Sequence, residues 1–196
     1  MVRQREFDTD KALDAAMHTF WDKGFEASSL SDLTTAMGIQ RPSLYAAFGD
    51  KKELFETALR RYTTQHAAQV RARLQQGSTV REAFRGLFEH IGAEGSVTEP
   101  SHGCFCINTM VELAPHDPKF AVLTREHQMY LGVLFKETIE RGQESGELSA
   151  HLNASAVAQS LVVSMIGLTV LMKSGPDRLF VEQSIQITLS LLQQSE

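Results

Sequence analysis

An all-α chain in two parts is predicted, on three observations. Apolar residues recur at spacings of three and four along most of the chain, the period of an amphipathic helix. No run alternates apolar and polar residues with the period of two that a half-buried strand needs. Gly, Pro and Ser/Asp cap signals cut the first 50 residues into three short helices and leave long uninterrupted stretches afterwards.

Leu13, Ala16, Met17, Phe20 and Trp21 share one face of a helix from about Asp10 to Lys23, with Gly24 placed to close it. Ser29, with Asp32 three residues on, reads as a capping box. Leu30, Leu33 and Met37 follow as the buried side of a second helix that stops at Gly38, and Ile39 as a buried turn residue. Pro42 suits the first turn of a third helix, whose Leu44 and Phe48 point inward. Gly49 breaks the chain, and Asp50 caps a fourth helix running from Lys51 to about Gln76, closed by Gly77. Further helices are expected from about Thr79 to Ala93, Cys104 to Leu113, Pro118 to Arg141, Asn153 to Lys173 and Asp177 to Gln193. A loop from Ser96 to Gly103 carries Pro100, and His116-Asp117 forms a loop and cap ahead of Pro118. Asn153-Ala154-Ser155 matches a glycosylation sequon, but Asn153 is better read as an N-cap.

The 196 residues are ordinary in composition, with a net charge of −5. The first 62 hold nine Lys+Arg against ten Asp+Glu, so DNA binding through bulk charge is excluded and any such binding must rest on local placement. Met1-Val2-Arg3-Gln4-Arg5-Glu6 lacks the apolar core of a secretory leader. The longest apolar stretch, Leu161 to Met172, is shorter than the roughly 20 residues of a membrane span. A cytoplasmic protein that does not enter the membrane is therefore expected. Cys104 and Cys106, one residue apart, are too close to bridge without strain and read as reduced thiols. His102, Cys104 and Cys106 are soft-metal ligand types. Yet residues two apart on a helix point roughly 200° from each other, so no metal site and no cofactor is expected. There is no glycine-rich phosphate loop, no His-Glu-x-x-His and no nucleophile constellation, so no catalytic residues are assigned and an enzyme is not expected.

Three short helices with a Gly-containing turn between the second and third suggest a helix-turn-helix, with plain core packing as the alternative. In such a unit the third helix offers its N-terminal half to the major groove. Gln40, Arg41, Ser43, Tyr45 and Ala46 share that outer face, and Ser29 and Pro42 stand at the starts of the second and third helices. Arg41 can fork onto guanine O6 and N7, and the Ser43 and Tyr45 hydroxyls suit phosphates or base edges. Lys51 and the N–H groups at the start of the fourth helix can hold a phosphate together. A helical adaptor that binds protein is the competing class, opposed by the Arg41-to-Lys51 segment.

The stretch from Phe7 to Tyr62 resembles the TetR family of bacterial repressors. The residues that carry the resemblance are Ala15-Ala16, Phe20, Gly24-Phe25, Leu30 to Leu33, Ala36 to Ile39, Ser43 to Lys51 and Leu54-Phe55. Thr34 departs from the small residue often found at its position. The run Gly103-Cys104-Phe105 before Asn108-Thr109 also looks like a C-terminal subgroup of the family. The resemblance implies repression from a double-stranded DNA operator, release by a small-molecule inducer, and DNA contacts from Gln40, Arg41, Ser43, Tyr45 and Lys51. It implies an N-terminal helix-turn-helix DNA-binding domain over residues 1–50 and a helical ligand-binding and dimerisation domain over 51–196, joined by the helix from Lys51.

An operator reader of this kind needs two heads. The Asn153–Lys173 helix is apolar nearly all round, and such a helix requires burial on every side. Ala158, Ser160, Ser164 and Gly167 allow close approach of another helix, and the last helix adds Phe180, Val181, Ile185, Ile187, Leu189, Leu191 and Leu192. Leu161, Ser164, Leu168, Ile185, Leu189 and Leu192 are the expected homodimer interface, with an intramolecular core as the alternative. Phe88, Cys104, Ile107, Asn108, Val111, His127, Tyr130 and Met165 are the expected ligand-pocket residues, beside Phe84, Ile91, Phe120 and Leu123. Cys104 opens a predicted helix after His102-Gly103, a setting that favours thiolate and hence sensing of oxidants or electrophiles. A buried structural thiol is the alternative.

Overall fold

The computed structural model describes residues 7–93 and 101–193. The expected loop residues 96–100 and the first six residues lie outside these. Among the described residues the chain forms nine helices and no strand: α1 Thr9–Ala27, α2 Leu30–Met37, α3 Arg41–Phe48, α4 Lys51–Leu74, α5 Val80–Gly92, α6 Phe105–Glu112, α7 Pro118–Glu144, α8 Ala154–Met172 and α9 Arg178–Ser190.

The helix starts follow their cap residues. Ser29 and Asp32 form a reciprocal capping box, with Asp32 N–H donating to Ser29 Oγ at 3.0 Å and Ser29 N–H to Asp32 Oδ2 at 2.9 Å. Asp50 and Glu53 repeat the device at α4. Asp117 and Asn153 cap α7 and α8. Gly38 ends α2 in the left-handed region (φ 66°, ψ 30°), and the Ile39 N–H reaches back to the Thr34 carbonyl at 3.1 Å, the bond of a Schellman ending. Gly24 interrupts α1 (φ 81°, ψ 175°) rather than ending it, since Phe25–Ala27 resume one further turn.

Two apolar cores result. One joins the end of α4, α5, most of α7, α8 and α9. The other begins in α1–α3 and continues through α4 into α6 and the start of α7. Its hub is Phe55, fully buried on α4. Phe20 and Phe25 of α1, Phe105 of α6 and Phe120 of α7 meet its ring edge-on with centroids 4.8 to 5.3 Å away, a favoured aromatic geometry. Ile166 packs against both cores.

α8 is 19 residues of mean hydropathy 1.8, long and apolar enough to cross a membrane by length and composition. In this structure its inner face is core: Leu161, Met165 and Leu168 are buried against α5 and α7.

Candidate nucleic-acid interface and internal cavity

Leu44 is fully buried and fixes α3 against the head core, so the opposite face turns outward. Gln40, Arg41, Pro42, Tyr45 and Ala46 are exposed on it, and Ser43 is half-buried beside them. The face therefore carries one cation, one amide and two hydroxyls at the N-terminal half of a helix, where they can meet base edges and phosphates together. Ser29 is exposed, but its hydroxyl donates to Asp32 Oδ2 at 2.6 Å and is engaged in capping. The Lys23 ammonium and the Ser29 hydroxyl hold the Asp32 carboxyl well below the usual range, so the cap is charged at neutral pH. Lys51 Nζ lies 4.4 Å from the centroid of the Phe25 ring, a cation–π contact that anchors the side chain at the α3–α4 junction.

Several contacts tie this head to the rest. The Glu112 carboxylate at the end of α6 accepts from Phe25 N–H at 3.1 Å and Glu26 N–H at 2.9 Å, the two donors that the Gly24 kink frees. A Cβ on Gly24 would lie 2.9 Å from that carboxylate, so the kink needs glycine for its positive φ and for space. Trp21 Nε1 donates to the Gly103 carbonyl at 3.1 Å. Lys52 pairs with Asp117 and Lys119 with Glu56, each at 2.5 Å, across the α4–α7 contact.

Behind the head lies a cavity of about 570 Å³, within the roughly 300–1,000 Å³ of small-molecule sites. Its wall is an aromatic chain from α1 to α7. His18 stacks on Trp21, Trp21 meets Tyr62 edge-on at 5.0 Å, Tyr62 stacks on His66 at 5.5 Å, and His66 Nδ1 sits 3.0 Å from His127 Nε2. Burial pushes both His66 and His127 down to about 4, His66 also through its neighbour's charge, so the pair is neutral at physiological pH. Tyr62 is raised by its burial and then by the Cys104 thiol, to which it is hydrogen-bonded. Burial raises Cys106 far above its ordinary value, with Cys104 adding to it, so the thiol form is kept.

Cys104, Ile107, His127 and Met165 border this cavity. The other four expected pocket residues do not. Phe88 is buried in the α5 core, where the face that reaches the cavity is Leu87, His90 and Ile91. Val111, one turn beyond Ile107 near the end of α6, is 67% exposed and outside the cavity. Asn108 spans the loop and α8, donating to the His102 carbonyl at 3.0 Å and accepting from Lys173 Nζ at 2.9 Å. Tyr130 lies on the far side of α7 and accepts from Arg71 at 3.0 Å. Lys173 thus crosses Gly103 but ends on Asn108.

Trp21, Tyr62, His66, Gln69 and Arg73 also border the cavity, though none of them was expected there. Their one signal is spacing: Tyr62, His66, Gln69 and Arg73 recur at four, three and four residues, a polar stripe along a single face of α4.

The expected dimer residues need correcting too. Leu161, Leu168, Ile185, Leu189 and Leu192 are all 7% exposed or less within one protomer, and Ser164 is half-buried. The four leucines and Ile185 form the intramolecular face of α8, α9 and the turn that follows it. The outward face carries Val163 and Val170 on α8, with Gly167 between them, Phe180 and Ile187 on α9, and Leu191 just past its end.

Residues 12–58 match the family described as bacterial regulatory proteins, tetR family, and residues 82–186 match the tetracyclin repressor-like C-terminal domain. The chain is 33% identical to the uncharacterized HTH-type transcriptional regulator YezE of Bacillus subtilis (strain 168), covering 98% of this chain and 100% of that protein. It is 34% identical to the HTH-type transcriptional repressor ComR of Escherichia coli (strain K12), covering 88% of this chain and 83% of that one. A cysteine mutant of the TetR-family regulator CifR, solved with 26-bp double-stranded operator DNA, superposes with a TM-score of 0.82 at 33% identity, over 95% of this chain and 98% of that one. The relatives are transcriptional regulators, and the fold and the outward face of α3 agree with that role. The chain belongs to the TetR family of bacterial regulatory proteins and is a helix-turn-helix transcriptional regulator.

Proposed function

We propose that this protein is a cytoplasmic homodimeric repressor that reads a two-fold symmetric operator through α3 and leaves it when a small molecule fills the cavity behind the head. The observation that carries the reading is the outward face of α3, where Gln40, Arg41, Ser43 and Tyr45 stand over a fully buried Leu44. Arg41 is the base-reading residue, Ser43 and Tyr45 contact phosphate or base edges, and Lys51 supports a phosphate. Ser29 and Pro42 hold the helix starts, and Ala46 lets the groove approach closely.

The dimer forms through the outward apolar stripe of α8 and α9, which a lone protomer leaves in water. It sets the two heads at a fixed spacing, as an operator with two half-sites requires. Cys104, Ile107, His127 and Met165 contact the effector. Burial of both thiols, with Cys106 held protonated, favours a reversibly bound effector over thiol chemistry. No catalytic role is assigned.

A binding-site selection from random DNA with the purified protein, at stated salt, tests the reading. Recovery of a two-fold symmetric site is the expected result. A folded dimer that enriches no site would overturn it.

A further inference from the structure

The chain carries 24 Asp and Glu, yet among the described residues none lines the cavity. Among these residues Arg73 is the one Lys or Arg that does, and its guanidinium makes no hydrogen bond or ion pair with any described residue. This contrasts with Arg60, Arg61 and Arg178, each of which is held by a carboxylate. The wall's other polar groups include imidazoles, amides and hydroxyls, with His18, His90 and His102 also on it. The His66–His127 pair is neutral, and Gln65 and Gln69 contribute amides.

Depth sorts these groups. Arg73 is half-buried, and Gln65 and Gln69 are exposed, so this end of α4 is the mouth. Leu87, Leu131, Val162, Met165 and Ile107 are buried and form the floor. A single cation at a wet rim above an apolar floor is complementary to one kind of molecule. Its charged end keeps part of its hydration while pairing with guanidinium, and its body displaces water from the floor. A cation would meet Arg73 with no carboxylate among the described lining residues to offset the repulsion. A dianion would leave its second charge over apolar side chains.

We propose that the effector is an organic monoanion with an apolar body, a monocarboxylate of an aryl or medium alkyl chain, held by Arg73 at the mouth with its body against Trp21 and Met165. Arg73 binds it through a charge-assisted pair of N–H donors. Trp21 belongs to α1, so the bound body touches the DNA-binding head itself. Trp21 also donates to Gly103 across the α1–α6 contact, so moving the indole loads the joint between head and sensor.

This rests on reading the cavity as the effector site, and the assay that tests it contains no DNA. Failure to find an operator would leave its result standing, and its failure would leave operator reading intact. Trp21 is the sole tryptophan, so its emission reports the cavity directly. The full-length protein is titrated with octanoate and 4-phenylbutanoate, and in parallel with the matching primary amides and amines. A saturable emission change with a carboxylate is expected, with the matching amide weaker by about tenfold or more and no response to the amines. Arg73→Gln should bring carboxylate and amide to equal affinity, while Arg73→Lys keeps part of the preference. Amide binding retained in Arg73→Gln shows that the cavity is intact. If that variant does not fold, the wild-type ratio of carboxylate to amide decides alone. Equal affinities in the wild type, no saturable response to either carboxylate, or an undiminished preference in folded Arg73→Gln would each overturn the proposal.

Discussion

Arg41 stands exposed at the first position of α3, where a side chain reaches the groove without moving the helix. Arg41→Ala should weaken operator binding by about 1–3 kcal/mol and relax one base preference. Titration of the variant against single-base operator substitutions checks this, and an unchanged preference would remove Arg41 from base reading. The His66–His127 pair makes a prediction of a different kind. Its folded values lie near 4, below the 6.5 of a free imidazole, so the unfolded chain takes up protons first on acidification. The stability this pair contributes is present above about pH 6.5, declines as the pH falls, and is gone below about 4. Thermal unfolding from pH 7 to 4.5 should therefore fall more steeply for the wild type than for a His66→Gln, His127→Gln double variant. Parallel curves would mean that the pair is not buried neutral.

At the scale of helices, α8 and α9 separate two roles that composition alone leaves merged. Leu161→Ala opens a hole in a single protomer and should cost about 2–5 kcal/mol of folding stability. Ile187 is 73% exposed in the protomer, so Ile187→Lys should leave the fold intact and weaken dimerisation by about 2 kcal/mol or more. Sedimentation over a concentration series separates the outcomes, and an unaltered dimer in Ile187→Lys would move the interface elsewhere. The caps at Ser29, Asp50, Asp117 and Asn153 were legible in the sequence because each is a local bond between near neighbours. The outer face of α3 was legible because Leu44 and Phe48 break its polar surface. The packing side of α8 was not, since a helix apolar all round carries no phase. The cavity wall on α4 was not either. Its Tyr62–Arg73 stripe looks like a solvated face, and only the arrival of α1 and α7 encloses it.

At the scale of the whole molecule, head and sensor share packing. The Phe55 hub, the Glu112 clamp on the Gly24 kink and Ile166 between the two cores all cross from one to the other. One cooperative unfolding transition is expected, with Trp21 emission and far-ultraviolet circular dichroism coincident. Glu112→Ala should shift that transition by about 1 kcal/mol, since two backbone donors lose their acceptor and are partly rehydrated. A Trp21 transition that precedes loss of helix would show the head melting alone.

Phe55 also bears on how such proteins can be recombined. Its ring sits on the sensor side of a cut at residue 50, yet it is walled by α1, α6 and α7 together. A reading head moved to a foreign sensor by a crossover there would meet another protein's α4 and α6 in place of the partners its aromatic rings were shaped against. The transplantable piece is therefore discontinuous, α1 to α4 with α6 and the first turns of α7, and a hybrid that retargets this sensor to a new operator has to carry both segments.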